Sequence, residues 1–281
     1  MVSFILLLYS TANSAIAIEP KSVFFGEEIN ISNNNGTSEL PQITSQGNNV
    51  YVVWQDNTTG NNDVYFAYSP DNGKTFESLR NLSKNNGTSE LPQITSQGNN
   101  VYVVWQDNTT GNNDVYFKSS SSNGTKFKST RNLSKNNGTS EFPQVSSSND
   151  NFLVIWKDNS NGIDDVFFKE GRKDILTNNS EFDSLNRIHS FGEVSKPKIL
   201  ANANFLAGVW TSHSGNASVI NFYPLKFFDD SDNSIQLTRL SAEITNLSAF
   251  GSNANLYCVW AGKSYSNTDI FFKRISSNMS D

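Results

Sequence analysis

The sequence predicts an all-β fold, a five-bladed β-propeller of four-stranded antiparallel blades. Three observations lead to this prediction. Residues 34–66 recur without change at 85–117, and a third, diverged copy covers 136–168. Five tryptophans mark five repeats, at spacings of 51, 51, 54 and 50 residues. No stretch shows helical periodicity, and short strands in repeats of this length are typical of propeller blades.

Each repeat is predicted to contain four short strands, named a to d. In the first repeat these are residues 41–44, 50–54, 63–68 and 76–83. Gly, Asn and Asp fill the turns between them, because these residues accept positive φ at low cost. Strands b and c are apolar or aromatic on both faces, so each sheet needs a neighbour on both sides. A β-sandwich would show one polar face, and a β-solenoid a shorter period.

The two ends of the chain predict how the last blade is completed. Residues 25–32 align with the strand d segment 76–83, so the processed chain is predicted to begin with a lone strand d. The last repeat has strands b and c at 256–260 and 269–273 and then stops. The N-terminal strand would therefore close the last blade and cover its sheet edge. The predicted propeller domain spans 18–281, with repeats at about 33–83, 84–134, 135–189, 190–241 and 242–281 plus 23–32.

The aromatic residues at fixed positions of the repeat are predicted to be core residues between blades. Cys258 lies two residues before the last tryptophan, and we expect it to be buried and inert, since a single cysteine forms no internal disulfide. The core set comprises Trp54, Trp105, Trp156, Trp210 and Trp260, together with Phe25, Phe76, Phe127 and Phe182.

The amino terminus predicts export to the outside or the cell surface. Residues 2–8 are apolar, and Ala15 and Ala17 have the spacing that signal peptidase accepts, so residues 1–17 are expected to be a signal peptide. The apolar run is too short for a membrane-spanning helix. In an exported chain, Asn-x-Ser/Thr triplets are candidate glycosylation sites, although an Asn-rich chain also produces such triplets by chance. The sequence has thirteen such triplets, Asn86 and Asn137 among them, and the candidates chosen are Asn30, Asn57, Asn81, Asn108 and Asn132.

Charge and composition restrict the partners. The net charge of −6 and the absence of a long Lys/Arg run argue against nucleic acid. Glycans or surface proteins remain candidate partners of a protein expected to be a monomer. No phosphate loop or Cys/His cluster is present, and His189 and His213 are isolated, so no cofactor is expected.

The turn before strand d carries a sequence motif. Residues 69–76 match the pattern S-x-D-x-G-x-T-[FW], the Asp-box or bacterial neuraminidase repeat. The chain therefore resembles the Asp-box β-propeller family, which includes sialidases. In that family the box is structural and tightens the turn between strands c and d, which implies the same role for Ser69, Asp71, Gly73, Thr75 and Phe76. Residues 120–127 keep part of the motif, with Ser122 at the Asp position.

Sialidase chemistry is not expected from this resemblance. The family binds a substrate carboxylate with three arginines near the axis, because guanidinium groups bind carboxylates bidentately. The Phe/Tyr-Arg-Ile-Pro motif that supplies one of them is absent from this sequence. Four arginines are predicted to lie in strand d, the outermost strand, where they cannot converge on an axis: Arg80, Arg131, Arg187 and Arg239.

Polar side chains recur in the b–c loops and at the start of strand a, which share one face of a propeller. Each Asp could accept hydrogen bonds from its own turn, the oxygens could bind Ca²⁺ or glycan hydroxyls, or two carboxylates could hydrolyse glycosidic bonds. Identical copies lack the acid–base difference that hydrolysis needs. The candidates are Glu39, Asp56, Asp63, Glu90, Asp107, Asp114, Glu141, Asp158 and Asp165. Residues that break the symmetry are Glu193, His213, Asp229, Asp230 and Glu243.

The sequence therefore predicts an exported, non-catalytic binding or cell-surface interaction propeller, with carbohydrate as a candidate ligand. One alternative is a glycoside hydrolase of exo-sialidase-like type. The other is a structural component of the cell envelope.

Overall fold

A computed structural model gives the architecture of the chain, which divides into two compact units, Met1–Asn30 and Ile31–Asp281. In the first unit, residues 26–30 are irregular and exposed. The predicted signal peptide, Phe25, His189, Asp229, Asp230 and Glu243 lie outside the described residues. The structure describes residues 26–77, 79–148, 151–172, 182, 185–188, 192–202, 205–215, 217–224, 235–240, 244–252, 255–264 and 267–276.

The first three sheets each contain four antiparallel strands in the order of the chain. Strands a, b and c of the prediction are confirmed, whereas strand d is shorter than predicted. It pairs at only two or three residues, because the turn after strand c takes up most of its length. The strands are β1 Ser38–Gln46, β2 Asn49–Asp56, β3 Asp63–Ser69 and β4 Arg80–Asn81; β5 Ser89–Gln97, β6 Asn100–Asp107, β7 Asp114–Ser120 and β8 Arg131–Asn132; β9 Ser140–Ser148, β10 Asn151–Asp158, β11 Asp165–Arg172 and β12 Asn186–Ile188.

The last two sheets depart from the predicted four strands. In the fourth sheet strand a is broken in two, and Pro197, which has no N–H to donate, lies between the two pieces. The fifth sheet has three strands within the described residues. Among all the residues that the structure describes, no helix has the length and apolarity needed to cross a bilayer. The strands are β13 Glu193–Val194, β14 Lys198–Asn202, β15 Phe205–Ser214, β16 Ala217–Pro224 and β17 Ile235–Leu240; β18 Ile244–Ser252, β19 Asn255–Ser264 and β20 Asn267–Ser276.

Consecutive sheets pack face to face through their middle strands. Tyr102 of the second sheet stacks on Phe152 of the third, with ring centroids 4.3 Å apart. Phe127 reaches back to Phe66 of the preceding sheet at 4.9 Å, edge to face. The structure buries all five tryptophans in these layers. Burial also raises the pKa of the Cys258 thiol to about 11, which keeps it protonated and unreactive at neutral pH.

The fifth sheet exposes an apolar face. Ile270 is 73% and Phe272 66% exposed, whereas their counterparts in the first sheet, Val64 and Phe66, are fully buried against the second sheet.

The predicted N-terminal strand at 23–32 is not what the structure shows, because residues 26–32, the described part of that segment, form no strand. A physical reason is that strand d pairs at only two residues in the first two sheets. The N-terminal segment, which aligns with strand d, would therefore gain few ladder hydrogen bonds by pairing.

Candidate functional site

Asp56 at the end of β2 is a buried carboxylate that joins three parts of the first sheet. It accepts hydrogen bonds from Ser38 Oγ at 2.6 Å, Asn34 Nδ2 at 2.7 Å, Trp54 Nε1 at 3.3 Å and Thr58 N at 2.9 Å. Burial alone would raise its pKa, but the hydrogen bonds from Ser38, Thr58 and Asn34 outweigh burial and lower the pKa to about 2. The carboxylate therefore fixes the loops, and it faces inward.

The next two sheets repeat this arrangement. Asp107 accepts hydrogen bonds from Ser89 Oγ at 2.6 Å and Trp105 Nε1 at 3.2 Å. Asp158 does the same with Ser140 Oγ at 2.6 Å and Trp156 Nε1 at 3.1 Å. Here too burial opposes ionisation, and the surrounding hydrogen bonds lower the pKa of both carboxyls.

A second set of aspartates begins each strand c and joins the b–c loop to strand d. Asp63 accepts hydrogen bonds from Thr59 Oγ1, Asn81 Nδ2 and Ser83 Oγ, each at 2.7 Å. Asp114 has the same three partners in Thr110, Asn132 and Ser134. In the third sheet Asp165 lies 3.6 Å from Arg187 Nη1. All three aspartates are buried.

The glutamates of the predicted set lie closer to solvent. Glu39 is exposed and accepts a hydrogen bond from Gln55, while Glu90 accepts one from Asn62 of the preceding sheet at 3.1 Å. Glu141 is half-buried. Among the described residues, no group of three or more His, Cys, Asp or Glu side chains could hold a metal ion, so calcium binding gains no support here.

The symmetry-breaking residues that are described do not gather into a site with these carboxylates. Glu193 pairs with His213 across the edge of the fourth sheet. His213 Nδ1 lies 2.7 Å from Ser218 Oγ. This imidazole is thus part of a local hydrogen bond on β15 and β16.

The turn at residues 69–76 is held by its own side chains. Asp71 accepts hydrogen bonds from Thr75 N at 2.9 Å, Thr75 Oγ1 at 2.7 Å and Ser69 Oγ at 2.7 Å, and these lower its pKa to about 2. Gly73 has a φ of +81°, which a side chain would disfavour. Ser122 takes the place of Asp71 in the second sheet and accepts a hydrogen bond from Lys126 N at 3.2 Å.

The four strand d arginines lie in outermost strands, as predicted. Arg80, Arg131, Arg187 and Arg239 belong to β4, β8, β12 and β17, each at the edge of its sheet. Arg80 Nη1 donates to the carbonyl oxygens of Gly124 and Thr125 in the second sheet. This guanidinium therefore joins neighbouring sheets.

A polar groove of about 680 Å³ lies at the b–c end of the second sheet. The b–c loop, strands c and d and the following d–a loop all contribute to it. Of its lining residues, Asp114, Asn132 and Arg131 were named from the sequence, the first two as candidate sites and Arg131 as a residue of strand d. The lining consists of Thr110, Asn112, Asp114, Tyr116, Arg131, Asn132, Lys135, Asn136 and Asn137.

The walls of this groove are held in place by hydrogen bonds and stacking. Tyr116 stacks on Trp105, with ring centroids 6.1 Å apart, and burial raises the pKa of Tyr116. Asn112 Nδ2 donates to Asn136 O at 3.2 Å and so fixes the d–a loop. Asn132 Oδ1 accepts a hydrogen bond from Lys135 N at 2.8 Å. The groove is therefore preformed.

The first sheet has the same nine residue types 51 positions earlier in the sequence. The hydrogen bonds of Thr59 and Asn81 to Asp63 match those of Thr110 and Asn132 to Asp114. The exact repetition of 34–66 and 85–117 was the sequence signal that could have pointed to a paired site. The first copy consists of Thr59, Asn61, Asp63, Tyr65, Arg80, Asn81, Lys84, Asn85 and Asn86.

The candidate glycosylation sites differ in their surroundings. Asn81 Nδ2 donates to the buried Asp63 carboxylate, so a glycan on this nitrogen would disturb that hydrogen bond. Asn132 is bound to Asp114 in the same way. Asn57 and Asn108 are exposed on b–c loops, and Asn30 is exposed in the first unit.

Comparison of the sequence with protein-family models and with curated proteins gives no match. Solved structures do match. A family 117 glycoside hydrolase from Zobellia galactanivorans is 12% identical with a TM-score of 0.47, covering 89% of this chain and 86% of that one. An endo-arabinase from Bacteroides thetaiotaomicron is 12% identical with a TM-score of 0.47, covering 85% and 94%. A Trypanosoma rangeli sialidase is 12% identical with a TM-score of 0.44, covering 85% and 55%. Likeness at this level is too coarse to carry a functional argument.

Proposed function

We propose that this protein is an exported or cell-surface, non-catalytic module that binds carbohydrate in the polar grooves of its first and second sheets. The observation that carries the proposal is the groove of about 680 Å³, which combines Tyr116 with amide, hydroxyl and ammonium side chains. Amides both donate and accept hydrogen bonds, as sugar hydroxyls do, and tyrosine adds an apolar ring with a polar edge. A few placed polar groups around an aromatic surface are usual in ligand sites.

The carboxylates favour binding over hydrolysis. A glycosidase needs two carboxyl groups in different environments, one of them with a raised pKa so that it can donate a proton. Among the described residues, every carboxyl whose pKa departs from its ordinary value has it lowered: Asp56, Asp71, Asp107 and Asp158. These groups are ionised hydrogen-bond acceptors at neutral pH.

Calorimetric titration of the full chain with soluble polysaccharides tests the proposal, using alginate, xylan, arabinan and dextran. We expect saturable binding of at least one of them, weakened at least tenfold by the double variant Asn86→Ala/Asn137→Ala, because Asn137 is exposed in the groove and Asn86 is exposed at the matching position of the first sheet. The matched control is Asn48→Ala/Asn99→Ala, which changes exposed asparagines at the opposite ends of the same sheets. Failure of all four polymers to bind, equal binding by the groove variant, or release of reducing ends would overturn the proposal.

We also propose that the five sheets close into a five-bladed propeller by contact between the free faces of the fifth and first sheets. Val259 and Phe272 pair across β19 and β20 as Val53 and Phe66 pair across β2 and β3. The fifth sheet thus presents the same apolar pattern that the first sheet packs against the second.

The first sheet offers the complementary surface. In the second sheet a Cβ added at Gly124 would lie 2.8 Å from the Phe66 ring, because the preceding sheet packs directly on this glycine. The equivalent Gly73 of the first sheet has no such neighbour within 4 Å. Phe272 is the counterpart of Phe66, so it has the right position in the repeat to fill that space.

A further inference from the structure

We propose that the grooves of the first and second sheets bind one acidic polysaccharide chain together, so that the polymer binds far more tightly than a short fragment. This inference rests on the proposed carbohydrate-binding function and adds the class of ligand and the number of sites.

The residues that line the groove of the second sheet are matched one for one in the first sheet, from which we infer a matching groove there. All nine lining residues are identical between the copies. Thr59 and Thr110 donate to Asp63 and Asp114 at the same 2.7 Å. Equal walls predict equal intrinsic affinity for the same sugar unit.

The third sheet does not continue the series. Ile163 and Phe167 stand where the second sheet has Asn112 and Tyr116, so an amide and a hydroxyl of the groove are lost. The repeat therefore predicts two matched sites.

The two grooves are held rigidly beside each other. The d–a loop that walls the first groove, residues 84–86, continues directly into β5 of the second sheet. Asn61 Nδ2 donates to Gly87 O, and Ser89 N donates to Asn62 O at 2.8 Å, which fixes this connection. Packed sheets lie ~10 Å apart at their core, so one extended chain crossing both sheets can meet both grooves. A rigid pair gives a high effective concentration for the second contact.

The charge that a ligand meets in each groove is positive. Asp63 and Asp114 are buried, and each accepts hydrogen bonds from three side chains of its own sheet. Lys84 and Lys135 are exposed at the rim, each on a backbone with φ of +42° that is fixed by an asparagine Oδ1. In a chain of net charge −6, two matched lysines beside polar grooves favour a carboxylated sugar polymer.

Titration of the full chain with alginate, with a uronate trisaccharide and with neutral dextran tests the inference. We expect alginate to bind about 100-fold more tightly than the trisaccharide, and dextran to bind more weakly than alginate. Lys135→Asn should bring alginate close to the trisaccharide affinity while the first groove still binds the trisaccharide. Lys84→Asn/Lys135→Asn should weaken both ligands at least tenfold, and asparagine accepts the positive φ at these positions.

The control Lys74→Asn/Lys126→Asn removes the same charge from exposed lysines in the c–d turns and should leave binding unchanged. Equal affinity of polymer and trisaccharide would overturn the two-site inference while the proposed function stands. Equal binding of dextran and alginate would overturn the acidic class. An equal loss in the control variant would show nonspecific charge attraction and overturn the inference. Binding of none of these saccharides, nor of xylan or arabinan, would remove the proposed function as well.

Discussion

The first three sheets and the last two bury a tryptophan at the same position but hold their loops differently. In the first three, the residue two positions after the tryptophan is Asp56, Asp107 or Asp158, which collects hydrogen bonds from the loops. In the last two it is Ser212 or Gly262. Packing between sheets therefore needs the aromatic residue, whereas the aspartate serves the loops that form the grooves.

The absence of the aspartate affects the tryptophan of the fifth sheet. Trp54, Trp105 and Trp156 donate their indole N–H to the aspartate of their own sheet. Within the part of the chain that the structure describes, Trp260 Nε1 is a buried donor without an acceptor, since Gly262 has no carboxylate to offer. The fifth sheet thus keeps the packing and loses the polar support.

Removing one loop carboxylate should give the largest effect. Asp107→Ala leaves Ser89, Asn85, Trp105 and Thr109 without their acceptor, so we expect a loss of about 3 kcal/mol in the free energy of unfolding, measured by urea denaturation. Asp71→Ala serves as the control and should cost much less, because Ser122 fills the same place in the second sheet. Equal losses in the two variants would contradict the role of Asp107 in holding the loops.

The apolar face of the fifth sheet gives the next effect. If the sheets close as proposed, Phe272→Ala should cost about 2 kcal/mol of unfolding free energy while the protein stays monomeric in sedimentation equilibrium. A loss below about 0.5 kcal/mol, the usual range for a surface substitution, would show that this face stays open. A dimer that the variant abolishes would show that the face binds a second copy, and either result rules out closure.

The indole hydrogen bonds should give a smaller difference in unfolding free energy between the first three sheets and the last two. Trp105→Phe removes volume and the hydrogen bond to Asp107, whereas Trp260→Phe removes volume and an N–H that has no acceptor. We therefore expect Trp105→Phe to be more destabilising by about 1 kcal/mol in urea denaturation. Equal or reversed values would mean that the aspartate contributes nothing through the indole.

Lowering the pH should reduce the free energy of unfolding by a modest amount, because the same carboxylates become protonated. The folded-state pKa of Asp56 is about 2, below the ordinary value of 3.8, so its contribution is fully present above about pH 5 and is lost as the pH falls through 4 toward 2. Urea midpoints measured from pH 6 to pH 2.5 should fall over this range. Asp107→Asn should fall less steeply than the parent, because the pKa of Asp107 is also lowered in the folded chain. If the urea midpoints of the parent and of Asp107→Asn fall in parallel with pH, Asp107 does not contribute to the acid sensitivity.

The sequence by itself determined the repeat, strands a to c, the tryptophans of the core and the outer position of the strand d arginines. These features follow from local alternation and from a fixed period, which are written along the chain. The shortness of β4 and β8, the break at Pro197 and the three-stranded fifth sheet depend on which backbone groups find partners, and the sequence pattern is silent on that.

Only the tertiary structure decided where the carboxylates and the grooves lie. Asp56 faces inward because Asn34, 22 residues away, and Ser38 reach it across the sheet. Tyr116 and Lys135 meet in one groove because strand pairing brings a loop, two strands and the next connection together. The spacing of residues along the chain does not predict which distant side chains come into contact. Hydrogen bonding between distant segments sets the direction in which each side chain points.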